Sequence, residues 1–365
     1  MMRIITRAAA LTVSVLLAAC GGAGSGGTSP AIPGKTASSA TATFVVKVPA
    51  KASVTSSKRA AYITSNVKGI DFTSISTSNS TLSTYVFYAL TPSSSYCTGS
   101  VSAGLTCTLP VSAPPGQDSI TVNLYDAVEP GQAYILSTGS ITQTINDQQS
   151  NTVNITTNGV PTFGFLSSTA PYPPVGTATA VPLSLELTDP DGNIIVGSFD
   201  MPVTVSDSDT TGATTLSKTS LNQMSDVNGL SLNYNGVAIP AANLTVSSTS
   251  PALAGRVSPT LTTFTVAPGG SGPVASPAVL YFANPQAAAQ TVTLSESNGS
   301  SGTYAMTNGC GSFANVTGSG STYTIAPVAS TFSATAPLYY TYGLCTILFS
   351  DQNSGSVAVG VFIGQ

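Results

Sequence analysis

The chain contains no histidine and no tryptophan, and charged residues make up only 7% of its 365 positions. An ordinary soluble domain carries about 25%. Without histidine there is no Ser-His-Asp or Cys-His catalysis, no HExxH zinc site and no histidine general base. Beyond Lys68 only Lys218 and Arg256 are basic. Two cations cannot neutralise a phosphate backbone, so nucleic acid is excluded as a partner. None of the five cysteines stands in the CxxC spacing of a metal or redox motif. No G-x-S-x-G elbow or Walker loop occurs. Glycosidase chemistry needs two carboxylates across a cleft. The only glutamates are Glu129, Glu186 and Glu296, and Glu186 falls on the polar side of an alternating run. This inventory points away from an enzyme.

Serine and threonine fill the space that charge leaves, with 52 and 51 residues. The 34 glycines and 24 prolines punctuate the chain every few positions. Between them lie short runs of period two, the pattern of half-buried strands. Phe44, Val46 and Val48 form one such set, and Ile120, Val122 and Leu124 another. Leu183, Leu185 and Leu187 follow, then Val292 and Leu294, then Val357, Val359, Val361 and Ile363. Threonine is β-branched and suits outward strand positions without adding charge. The fold expected is all-β, a tandem of antiparallel β-sandwiches. Three units are predicted, over 42–159, 160–268 and 274–365, the last set off by the linker Ala267-Pro268-Gly269-Gly270-Ser271-Gly272-Pro273.

The first residues read as an address. Arg3 and Arg7 precede an apolar stretch from Ala8 to Ala19, about a dozen residues, too short to span a bilayer. Leu17-Ala18-Ala19-Cys20, followed by Gly21, resembles the lipobox of bacterial lipoproteins. The resemblance implies a signal peptide over 1–19 and a diacylglyceryl, palmitate-bearing Cys20. Stable anchoring takes more than one acyl chain. Residues 20–41, rich in Gly, Ser and Pro, then form a flexible tether. Position 21 is not Asp, which leaves an outer-membrane or cell-surface destination open. With Cys20 lipidated, four cysteines remain and three pairings exist. Local spacing favours Cys97–Cys107 and Cys310–Cys345, as an oxidising compartment would allow. Residues 20–68 carry six basic side chains and no acidic one, whereas 69–365 carry fourteen acidic and two basic. The basic stem suits contact with anionic headgroups, at roughly 1 kcal/mol per well-placed charge.

Two further segments carry resemblances. Ala113-Pro114-Pro115-Gly116 through Val122 resembles a hairpin of transthyretin-like and FnIII-like sandwiches. Leu183–Asp189, Pro190-Asp191-Gly192-Asn193 and Ile194–Gly197 look like the strand–turn–strand of bacterial Ig-like domains in invasin- and intimin-type adhesins. The whole chain thus resembles Ser/Thr-rich, multi-domain Ig-like lipoproteins. This implies a structural or adhesive display module, with a carbohydrate- or cell-wall-binding accessory role as the alternative. The partners expected are the membrane, through the anchor, and a surface polysaccharide or protein. The densest acidic group is Asp189, Asp191, Asp207 and Asp209 with Asn193 and Asp200. Turn chemistry accounts for these residues, and calcium is the alternative, since it takes six to eight oxygens. No cofactor is otherwise expected. Tyr85, Phe87 and Tyr88 share one predicted strand, and Tyr339, Tyr340 and Tyr342 another. Exposed tyrosines can stack on sugars or anchor a partner, whereas buried ones only pack.

Overall fold

The computed structural model describes residues 40–50, 63–76, 83–129, 131, 133–147, 149–253, 260–261, 263–282, 284–297, 302–329, 344–352 and 355–363. Strands dominate it. The helical segments among these residues are three single 3-10 turns. Cys20, tether residues 21–39 and the tyrosines 339, 340 and 342 lie outside the described residues, whereas the last two residues assigned to the tether, Ala40 and Thr41, open the first strand.

The first core is built from β1 (Ala40–Val48), β2 (Gly69–Ser76), β3 (Ser83–Ala89), β4 (Cys97–Ser100), β5 (Gly104–Ala113), β6 (Gly116–Tyr125), β7 (Ile135–Ile145) and β8 (Asn151–Val153). One sheet runs β4-β5-β1-β8. The alternation read from the sequence is what closes it. Ala42, Phe44, Val46 and Val48 point inward from β1, and Leu105, Cys107, Leu109 and Val111 from β5. Opposite them lies the face of β7-β6-β2-β3. Phe44 of one sheet meets Phe72 of the other at a ring-centroid distance of 4.3 Å.

The segment Ala113–Gly116 is not a hairpin. β5 and β6 belong to different sheets, so the chain turns a corner there. Pro114 and Pro115 lack amide donors and cannot continue a ladder.

A two-residue strand, β9 (Asn158–Gly159), follows. It pairs antiparallel with β7 through Ser137↔Gly159 and parallel with β13 through Phe199↔Gly159. One sheet therefore continues from the first core into the second.

The second core holds β10 (Phe163–Ser167), β11 (Thr179–Pro182), β12 (Ser184–Thr188), β13 (Ser198–Asp207), β14 (Thr214–Leu216), β15 (Ser220–Gln223), β16 (Ser231–Tyr234), β17 (Ala242–Ser247), β18 (Thr260–Leu261) and β19 (Thr263–Val266). Leu185, Leu187, Val203, Val205, Leu221, Leu232 and Leu244 pack its interior. Residues 194–197 form no strand, only a single bridge from Ile194 to Thr188. Ile195 is nevertheless fully buried in this core.

The third core has β20 (Pro273–Ser276), β21 (Val279–Phe282), β22 (Gln290–Glu296), β23 (Ala305–Asn308), β24 (Ala314–Ser319), β25 (Thr322–Pro327), β26 (Leu344–Ser350) and β27 (Ser356–Ile363). Two four-stranded sheets result, β20-β22-β25-β24 and β21-β27-β26-β23.

Cys97 and Cys107 are directly opposed on β4 and β5 and are bonded. Cys310, in the turn after β23, is bonded to Cys345 of β26. Loop closure puts their contributions at roughly 3 and roughly 4 kcal/mol.

Phe72 is fully buried where the two sheets of the first core meet. Phe72→Ala should lower stability by about 3–5 kcal/mol in urea unfolding, because the cavity collapses only partly.

Candidate functional site

Period two places Ile70 and Phe72 of β2 in the core, so Asp71 and Thr73 face outward. Asp71 is nevertheless only 5% exposed. Its neighbours across the sheet are Phe87 of β3 and Asn123 of β6. Tyr125 donates its hydroxyl to Asp71 Oδ2 at 2.6 Å. Asn123 donates its backbone N–H at 3.2 Å and its Nδ2 at 3.0 Å to Oδ1. Burial, and then the Asp71 carboxylate, push the Tyr125 phenol well above its usual range. Tyr85 shows the same direction, from burial and then the nearby Asp71 charge. A Cβ on Gly69 would stand 2.5 Å from the Phe87 ring, so the glycine lets that ring lie over β2.

Tyr85 itself is 59% exposed. It stands near the fixed Asp71 carboxylate while most of its surface faces solvent. This is an aromatic platform on a sheet face, beside Thr73 and Thr121. Its hydrogen-bonded carboxylate orients side chains; nothing in it forms a nucleophile–base pair.

The acidic residues read from the sequence divide into two groups. Asp189 Oδ1 accepts from the N–H of Asp191 at 3.0 Å, the N–H of Asn193 at 2.9 Å and Asn193 Nδ2 at 3.0 Å. Gly192 takes φ +77° in this turn, a conformation that favours glycine. Asp189 and Asn193 are thus the scaffold of their own turn. Asp207 and Asp209 order a different loop. Asp209 accepts from Thr211 and from the Thr214 N–H, and Asp207 Oδ2 from Thr214 Oγ1 at 2.6 Å. The Thr214 amide and then the Thr211 contacts hold the Asp209 carboxyl below its usual range. Asp200 lies elsewhere again, accepting a hydrogen bond from Ser250. Among the described residues, no group of three or more His, Cys, Asp or Glu side chains is arranged to hold a metal ion.

Asp191 does something the sequence did not announce. It is 6% exposed and faces Asp126 of the first core, itself 2% exposed. Asp126 Oδ1 accepts the Tyr134 N–H at 2.7 Å. Burial raises both carboxyls. The charges of Asp189 and Asp126 push Asp191 further up, while Asn66 and Lys68 pull it back. The seam between first and second cores thus buries two neighbouring carboxyls.

The three glutamates do not line one cleft. Glu129 is exposed in the turn after β6. Glu186 projects from β12 toward Tyr281 of the third core, and burial followed by that carboxylate drives the phenol up. Glu296 is buried at the end of β22. A small cavity of about 100 Å³ in the first core is lined chiefly by apolar side chains, including Phe44, Ile63 and Leu124.

No known protein family and no curated protein matches the chain. Among solved structures, domains 1–6 of surface layer protein SbsC are similar at 15% identity and a TM-score of 0.19, covering 80% of this chain and 50% of that one. Domains 4–9 of the same protein give 15% identity and a TM-score of 0.20, over 70% and 36% of the two chains. The chain thus spans about half, and about a third, of these structures.

This buried carboxyl pair makes a pH prediction. A carboxyl with a raised folded pKa binds its proton more tightly when folded. Stability is therefore highest in acid and falls as pH rises from the ordinary carboxylate value of 3.8 through the raised one. Asp191→Asn should raise the melting temperature near neutral pH and flatten this slope. Thermal melts of both proteins across the acid-to-neutral range would show it.

Proposed function

We propose that the chain is a non-enzymatic, lipid-anchored cell-envelope protein that acts as a structural or adhesive display module. The observation that carries this reading is the continuous sheet through β9, which splices the first core to the second. Sheet hydrogen bonds across a junction resist bending in a way that a peptide linker cannot. Buried neighbours at the seams, Glu186 near Tyr281 and Asp126 near Asp191, add to the same stiffness. A stiff array on a Gly/Ser tether suits display away from a membrane. The lipobox-like Leu17-Ala18-Ala19-Cys20 and the basic stem supply the anchor in this reading.

The Tyr85 platform favours a second reading, binding of a surface or cell-wall polysaccharide. A ring with an exposed face offers the apolar surface on which a pyranose stacks.

Protease shaving of intact cells tests the first reading, with Cys20→Ser as control. Release of a fragment spanning 42–365 from whole cells, and loss of cell attachment in the variant, are expected. Protection until the outer membrane is opened would put the body in the periplasm and end the adhesive version. For the second reading, Tyr85→Ala should weaken retention in polysaccharide affinity gels by roughly 0.5–1.5 kcal/mol, with unchanged thermal melting.

A further inference from the structure

Residues 257–365 contain no Lys, Arg or His and only two carboxylates, Glu296 and Asp351. The fold brings both to one place. Glu296 ends β22 opposite Pro273 of β20. Asp351 follows β26, and its Oδ1 accepts the Gly355 N–H at 2.6 Å to close the turn into β27. Both carboxylates act on the same two phenols. Burial first, then Glu296, then Asp351, push the Tyr304 hydroxyl up to about 12. Tyr172, from the segment between β10 and β11 of the second core, is raised by burial, then Asp351, then Glu296.

Glu296 is 8% exposed and Tyr304 6%. The carboxylate and the phenol lie against each other, but outside regular hydrogen-bond geometry. Glu296 Oε1 and Tyr304 Oη have no partner that meets it. Both border the same small space, since a Cβ on Gly302 would stand 2.5 Å from Glu296 Oε1 and 2.8 Å from Tyr304 Oη. Gly272 and Gly355 do the same for the other two groups. A Cβ on Gly272 would strike the Tyr172 hydroxyl, and one on Gly355 would stand 2.9 Å from Asp351 Oδ2. Gly302 thus keeps clear the space beside Glu296 and Tyr304, and Gly272 and Gly355, which pack against each other, the space beside Tyr172 and Asp351.

A buried carboxylate oxygen without a donor is costly unless a counter-charge meets it. The third core has no side chain that can supply one. Two carboxylates with neutral hydroxyls form an all-oxygen, doubly negative donor set, which matches a hard dication. Calcium tolerates such mixed, irregular ligands, whereas magnesium demands near-octahedral geometry.

We propose that Glu296 and Asp351, with the hydroxyls of Tyr304 and Tyr172, form a calcium-class cation site at the seam between the second and third cores. It is separate from the acidic turns at Asp189–Asn193 and Asp207–Asp209, and does not depend on the anchoring reading. A cation held there ties the Tyr172 segment to the turn of β26 and β27.

Terbium(III) tests this, because bound terbium luminesces when a nearby tyrosine is excited and the chain has no tryptophan. The full chain, purified in detergent, should give saturable tyrosine-sensitised emission that calcium displaces. Calcium should also raise the melting temperature in a concentration-dependent way. Glu296→Gln and Asp351→Asn should each weaken terbium binding by about tenfold or more, as each removes one of two ligand charges. Asp191→Asn and Asp209→Asn should leave it unchanged. If Glu296→Gln does not fold, Tyr304→Phe, which removes one oxygen and keeps the ring, should still lower the emission. Absence of saturable emission overturns the proposal. So does emission that survives Glu296→Gln or Tyr304→Phe but is lost in Asp191→Asn, which would move the site to the first seam.

Discussion

Scarcity of positive charge governs how this molecule is put together. A buried carboxylate in most proteins meets a lysine or arginine. Here it must find another partner, and each buried acid does so differently. Asp71 takes one phenol and an asparagine. Asp118 takes the Ser74 hydroxyl at 2.8 Å. Asp126 takes the Tyr134 N–H and lies beside Asp191, with Lys68 near both. Glu296 is left with an unpaired oxygen. The 103 hydroxyl residues and the main chain carry the polar interior. Stability then rests on burial, ladder hydrogen bonds and two disulfides, with little that salt can screen.

The same scarcity explains where the acids sit. Within a sheet an acid must be met by neighbouring hydroxyl and amide groups, as Asp71 and Asp118 are. At the seams it meets groups from a neighbouring core, as Asp126 meets Asp191 and Glu186 meets Tyr281. The joints are therefore the chemically distinctive parts of an otherwise uniform Ser/Thr-rich surface. They set how far the cores can move against one another.

Much of the fold was legible because alternation is a local signal. Phe44, Val46 and Val48, or Ile120, Val122 and Leu124, announce a buried face by period two alone. The turn at Asp189–Asn193 was equally legible, since Pro-Asp-Gly-Asn carries its own geometry. What failed was pairing. Ala113–Gly116 read as a hairpin, yet its strands join opposite sheets. Ile194–Val196 read as a strand because two isoleucines and a valine suit one, yet only Ile194 bridges. β9 has two residues and no propensity signal, and its importance comes wholly from its neighbours. The Asp71 cluster left a faint mark, an aspartate inside an apolar strand where it is disfavoured unless something holds it. The convergence of Glu296 and Asp351 left none beyond their solitude in the last third of the chain.

In every core a strand near the beginning pairs in parallel with one near the end: β1 with β8, β10 with β18, and β21 with β27. Tension applied between the two termini of such a core draws the paired strands past each other lengthwise. Their hydrogen bonds then bear the load together and cannot open one at a time like a zipper. A chain tethered at its N-terminus and gripped at its far end would meet the pull in this shearing direction three times in series. Under such a pull the array would act as a mechanical link as well as a spacer.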